Sequence, residues 1–101
     1  MRLTPQQIES LKQAAAEVFG SQAQIRLFGS RVDEQRRGGD IDLYVTGIAL
    51  PLEAQLDAKL RFIVKAKQRL GDQRIDLVFA PLPGQPIQPI QRMAEATGVP
   101  L

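Results

Sequence analysis

The 101-residue sequence contains no cysteine and no histidine. Without cysteine there is no disulfide framework and no thiolate nucleophile. Without histidine there is no imidazole base and no ordinary structural zinc site. Long apolar runs are also missing: no stretch approaches the roughly 18 residues that a membrane span requires. The opening Met1-Arg2-Leu3-Thr4-Pro5-Gln6 lacks the apolar core of a signal peptide, so the expected setting is the cytoplasm. Neither Gly-x-x-x-x-Gly-Lys-Ser/Thr nor Gly-x-Gly-x-x-Gly occurs, which leaves a P-loop and a dinucleotide fold unsupported. Charge of one sign is scarce too: 13 Lys/Arg against 11 Asp/Glu leave a net charge of +2. That is too little for a nucleic-acid footprint, and the basic clusters Arg36-Arg37 and Lys65-Ala66-Lys67-Gln68-Arg69 read as solvated faces. Any chemistry falls to carboxylates, hydroxyls, Lys/Arg and a borrowed metal.

What is present fits an ordinary globular chain, with 44% apolar and 24% charged residues, and its length predicts one domain over residues 1–101. Thr4-Pro5 supplies an N-cap and first helical residue. Ile8, Leu11, Ala15, Val18 and Phe19 follow at helical spacing, and Gly20 ends the helix. Ile25 to Phe28 reads as a short strand, and a second runs from Asp40 to about Thr46. From Pro51 to Leu70, the apolar positions Leu52, Leu56, Leu60, Ile63, Val64 and Leu70 predict a long amphipathic helix closed by Gly71. Phe62 lies off that stripe and is expected at the edge of the core. Arg74 to Ala80 reads as a third strand. Pro81, Pro83, Pro86 and Pro89 make a rigid loop, and Pro89 begins a last helix through Ala96.

The chemistry concentrates between Ile25 and Val45. Gly29-Ser30-Arg31 turns the chain out of the first strand, with a short helix expected through Val32 to Gln35. A hydroxyl beside backbone N–H groups at a helix start is a ready phosphate site. Gly38-Gly39 then delivers Asp40-Ile41-Asp42-Leu43. In a strand, residues i and i+2 share a face, so Asp40 and Asp42 stand side by side opposite Ile41, Leu43 and Val45. Two carboxylates about 4 Å apart repel by roughly 4 kcal/mol at an effective dielectric near 20. Protonation, hydration or a cation must relieve that, and Mg²⁺ takes such oxygen ligands together with substrate phosphates. If Gly29-Ser30 and Asp40 border one site, the first two strands run antiparallel. The long helix between the second and third strands is the connection that parallel neighbours require. Asp76 then falls beside the Asp40/Asp42 end. An acid buried within Ile-Asp-Leu-Val-Phe is costly without a partner, so its place there fits a metal-bound or catalytic role, with pairing to Arg26 or Arg74 as the alternative.

Strand, Gly29-Ser30, nine residues, Asp40-Ile41-Asp42-Leu43, then a later strand acid: this constellation resembles the DNA polymerase β nucleotidyltransferase superfamily. It is most similar to the minimal nucleotidyltransferase branch, the short antitoxins, though with a gap one residue shorter than the commonest pattern there. The resemblance implies an α/β (α+β) nucleotidyltransferase fold with a small mixed sheet flanked by helices, the first strand antiparallel and the second and third parallel. It further implies Mg²⁺ on Asp40, Asp42 and Asp76, with the same three acids catalytic and Asp76 activating the acceptor hydroxyl. The nucleotide phosphates, those of ATP, would lie on Gly29, Ser30 and Arg31. So short a chain has hardly any surface left for acceptor recognition, so a protein acceptor is expected to supply the other wall. By resemblance that protein is a HEPN-type ribonuclease toxin, silenced when AMP is moved onto its tyrosine. The rival expectations are a non-catalytic module that neutralises a partner by contact, and a nucleotidyltransferase acting on small molecules.

Overall fold

A computed structural model describes residues 3–29, 40–48, 50–71 and 73–101. The elements are α1 (Pro5–Phe19), β1 (Gln24–Phe28), β2 (Ile41–Thr46), α2 (Leu52–Leu70), β3 (Ile75–Phe79), α3 (Pro89–Thr97) and β4 (Val99–Pro100). The fold is mixed α/β, with a four-stranded sheet in the order β3-β2-β1-β4. β1 runs antiparallel to β2 and to β4, whereas β2 and β3 are parallel. The expected strand directions are therefore observed, and the crossover through α2 accounts for the parallel pair. β4 has no counterpart in the sequence reading. It is a two-residue edge segment, and its Pro100 is tolerated because only one side of an edge strand needs a ladder donor.

Alternation along the strands divides the sheet into two faces. Ile25, Leu27, Ile41, Leu43, Val45, Ile75 and Leu77 are buried on one face with Leu11, Ala14 and Ala15 of α1 and Phe62 and Ala66 of α2. On the other face Phe28 and Tyr44 pack with Ala94 of α3, and Val78 and Ala80 close around them. Gln91 fixes α3 there: its side-chain amide donates to the Phe79 carbonyl at 2.8 Å while its oxygen accepts from the Gln88 N–H at 2.6 Å.

α1 starts where the sequence places it. The Gln7 N–H donates to Thr4 Oγ1 at 3.1 Å and the Thr4 N–H to Gln7 Oε1 at 2.9 Å, so two orphan donors are satisfied reciprocally. The far end of α2 is tied to α1 by Arg69, which reaches Glu17 and Gln13, each at 2.7 Å.

The facing of α2 corrects the sequence reading. Its sheet-facing side is Gln55, Ala58, Phe62 and Ala66, whereas Leu52, Leu56, Leu60 and Val64 are 55–65% exposed. Phe62 is fully buried rather than at the core's edge. Small Ala58 and Ala66, one turn either side, let the helix axis come close to the strands, and Phe62 fills the space between. Its ring stacks on Phe19 with centroids 5.5 Å apart, and Phe19 in turn meets the edge of Phe79 at 5.6 Å. Such pairs add to the area they bury, and four staggered leucine and valine side chains would hold the helix further off. Gln55 is buried without penalty because it donates to the Leu50 carbonyl at 3.2 Å. No helix of the described residues is long and apolar enough to cross a membrane.

Candidate active site

Three acids and a glycine meet at the end of the sheet where β1 finishes and β2 and β3 begin. The β1–β2 register sets Phe28 opposite Asp42, and the β2–β3 register sets Asp42 opposite Asp76. Asp40 lies two residues before Asp42, and the Ile41 N–H that follows it donates to the Arg74 carbonyl at 2.9 Å. That bond locks the entries of β2 and β3 together, so Asp40, Asp42 and Asp76 are held at one sheet end by backbone pairing alone.

Burial falls steadily across this row. Phe28 is 2% exposed, Asp42 is half-buried, and the Asp76 side chain is 57% exposed. The buried acid expected at position 76 is thus an exposed one, because β3 is the outer strand of the sheet. Its partner also differs from expectation. Lys59 of α2 reaches round the open edge to Asp76 at 3.2 Å, while Arg74 lies 4.0 Å from Asp40. Asp76 Oδ1 also accepts the Leu77 N–H at 2.9 Å. Lys59 is the one residue of the site that the sequence did not single out. The sequence carried no signal for it, because its position beside β3 follows from Ala58 facing the sheet, which the leucine stripe conceals.

Asp42 is the strained member. Burial raises its carboxyl above the ordinary value, and the negative charges of Asp40 and Asp76 raise it further. Both neighbouring acids therefore act electrostatically on Asp42. Gly29 contributes by being small. It has φ +79°, and a Cβ built there would lie 2.6 Å from Asp42 Oδ2, so the backbone of the turn packs directly against the carboxylate. Only glycine combines that conformation with that approach. Ser30 and Arg31, the short helix at Val32 to Gln35, and Gly38-Gly39 lie outside the described residues.

The donor set suits a hard divalent cation in chemistry: carboxylate oxygens only, one of them desolvated and repelled by two neighbours. Among the described residues, no three acids are gathered closely enough to ligate one ion as they stand. Asp76 and Asp40 are turned to Lys59 and Arg74 instead. A search of protein-family models and a search of curated proteins each return no match for this chain.

Proposed function

We propose that the chain is a Mg²⁺-dependent nucleotidyltransferase that moves AMP from ATP to a hydroxyl of a partner protein. In the context that the sequence resemblance implies, it is the antitoxin that silences a HEPN-type ribonuclease toxin in the cytoplasm. The observation that carries the reading is the register of Asp42 with Asp76, with Asp40 beside them and a left-handed glycine packed on the Asp42 carboxylate. A half-buried Asp42 carboxylate repelled by two neighbouring acids is a cost that folding alone gives no reason to keep.

Asp40 and Asp42 are the residues that would hold the cation, with Asp76 contributing when it leaves Lys59. When bound, the cation neutralises charge on the triphosphate and on the departing pyrophosphate. The chain's own residues do the rest. Asp76 takes the proton of the acceptor hydroxyl as its oxygen bonds to the α-phosphorus and the bond to pyrophosphate breaks. Lys59, once released from Asp76, would be a free cation beside the site. The turn at Gly29 leads into Ser30 and Arg31, the phosphate ligands that the resemblance implies, and orients the nucleotide.

A contact-only module is the second reading, favoured by the pairing of Asp76 with Lys59 and of Asp40 with Arg74. Asp42→Asn separates the two. With labelled ATP, Mg²⁺ and the protein encoded beside it as acceptor, the enzymatic reading expects wild type to label that protein. The variant should be slower by about a thousandfold while still binding it. Neutralisation that survives Asp42→Asn undiminished would instead establish contact alone.

A further inference from the structure

α2 presents to solvent a ridge of Leu52, Leu56, Leu60 and Val64, each more than half exposed. Among the described residues these are four of the six large exposed hydrophobics, all on one helix and at intervals of four. Single exposed apolar residues need no explanation, but a contiguous patch does. The row beside the ridge, one residue on at each step, reads Glu53, Asp57, Arg61, Lys65, and all four are exposed. It is acidic in its first half and basic in its second.

We propose that this face is a self-association surface, on which a second copy of the chain docks its own α2 antiparallel about a two-fold axis. In an antiparallel two-fold pair, each flank of one helix meets the same flank of the other. Leu56 then lies opposite Leu60 of the second copy, and Leu52 opposite its Val64, so the seam is apolar throughout. In the flanking row Asp57 meets Arg61 of the second copy, and Glu53 meets its Lys65, which also holds Glu17 of its own α1 at 3.4 Å. The symmetry makes each of these contacts twice. A parallel pairing would turn this row toward the other flank of the second copy, and neither the Asp57–Arg61 nor the Glu53–Lys65 contact would form. The same order of charges that forms the 3.2 Å Asp57–Arg61 pair within the helix is complementary between two copies docked antiparallel. Val64, Leu60, Arg61, Lys65 and Gln68 also line a shallow groove of about 360 Å³ into which the opposing leucines fit. The seam is one helix wide, so its area falls below the roughly 1,200 Å² in total of a standard interface, and association is reversible and concentration-dependent.

The acid row of the candidate active site lies on the opposite face of the sheet, so this inference stands or falls independently of the catalytic reading. The test is sedimentation velocity across a concentration series. Wild type is expected to shift from monomer to dimer as concentration rises. Leu60→Glu, which sets an acid in the seam opposite Leu56 of the second copy, should weaken the dimer roughly a hundredfold. Asp57→Arg alone should weaken it about tenfold by opposing like charges. The exchange Asp57→Arg with Arg61→Asp should restore it, because it keeps both the contact between copies and the 3.2 Å pair within the helix. A wild type that stays monomeric at every concentration overturns the proposal, even if Leu60→Glu abolishes binding to some other protein. A dimer untouched by Leu60→Glu overturns the surface, and an exchange variant that fails to recover overturns the antiparallel register.

Discussion

The two faces of the sheet treat charge in opposite ways. The face under α1 and α2 is built from Ile25, Leu27, Ile41, Leu43, Val45, Ile75 and Leu77, with Phe62 wedged between alanines. The other face carries Arg26, Asp42, Tyr44 and Asp76 on the same three strands. Among the described residues, the helix packed on it is the nine-residue α3, whose single fully buried residue is Ala94. Even its apolar part is mixed: the Tyr44 hydroxyl is buried and makes no hydrogen bond of ordinary geometry. Burial first, and then the charge of Glu95, push that hydroxyl's pKa up. One face holds the fold together, and the other spends stability on a cluster of acids. A domain this small sits only about 5–15 kcal/mol above unfolding, so truncating the apolar core and neutralising Asp42 should have effects of opposite sign.

The largest stability effect is expected on the apolar face. Phe62→Ala removes a fully buried ring stacked on Phe19 and should cost about 3–5 kcal/mol, measured by urea unfolding. A loss below about 1 kcal/mol would mean that α2 turns its leucine ridge inward after all.

Next comes the turn that joins the faces. Gly29→Ala places a methyl group 2.6 Å from Asp42 Oδ2 at a backbone φ of +79°, at an expected cost of about 1–3 kcal/mol. In an Asp42→Ala background the steric part disappears and only the backbone part remains. The second cost should therefore be smaller, and equal costs in both backgrounds would contradict the packing of turn on carboxylate.

The smallest effect has the opposite sign. Asp42→Asn removes a charge that burial and two neighbouring acids disfavour, so the variant should melt higher by roughly 2–5 °C at neutral pH. The direction follows from linkage. A carboxyl raised in the folded state binds its proton more tightly there than in the unfolded chain. Stability therefore falls as pH climbs from the unfolded value through the raised one. The advantage of the variant should be complete above that window and vanish below it. Melting curves between pH 3 and 8 check this, and a variant less stable than wild type at pH 7 would show that the Asp42 charge is stabilising.

Much of this arrangement is legible in the residues alone. Thr4-Pro5, the strand alternation and the length of the α2 crossover lead to the observed helix start and strand directions, and so to Asp42 beside Asp76. Three features are not legible, each for a physical reason. Helical periodicity locates apolar residues but does not weigh their volume, so it misses that Ala58, Phe62 and Ala66 fit against a sheet better than a leucine stripe. The exposure of Asp76 depends on β3 being the outer strand, which a local run of Ile-Asp-Leu-Val-Phe does not encode. Lys59 is paired with Asp76 across 17 residues of chain, as the ion pair of the two shows, and only the packed crossover reveals it.

The central claim is that Asp40, Asp42 and Asp76 serve one cation and one nucleotide. Melting the protein with ATP, with and without Mg²⁺, tests it most directly in wild type and in Asp40→Asn. Wild type should gain about 2.7 kcal/mol of stability when Mg²⁺ and ATP are present at a hundredfold excess over the dissociation constant. It should gain little with ATP alone, and Asp40→Asn should lose the Mg²⁺-dependent part. A wild type whose melting is indifferent to Mg²⁺ and ATP together, or an Asp40→Asn variant stabilised as fully as wild type, would contradict it.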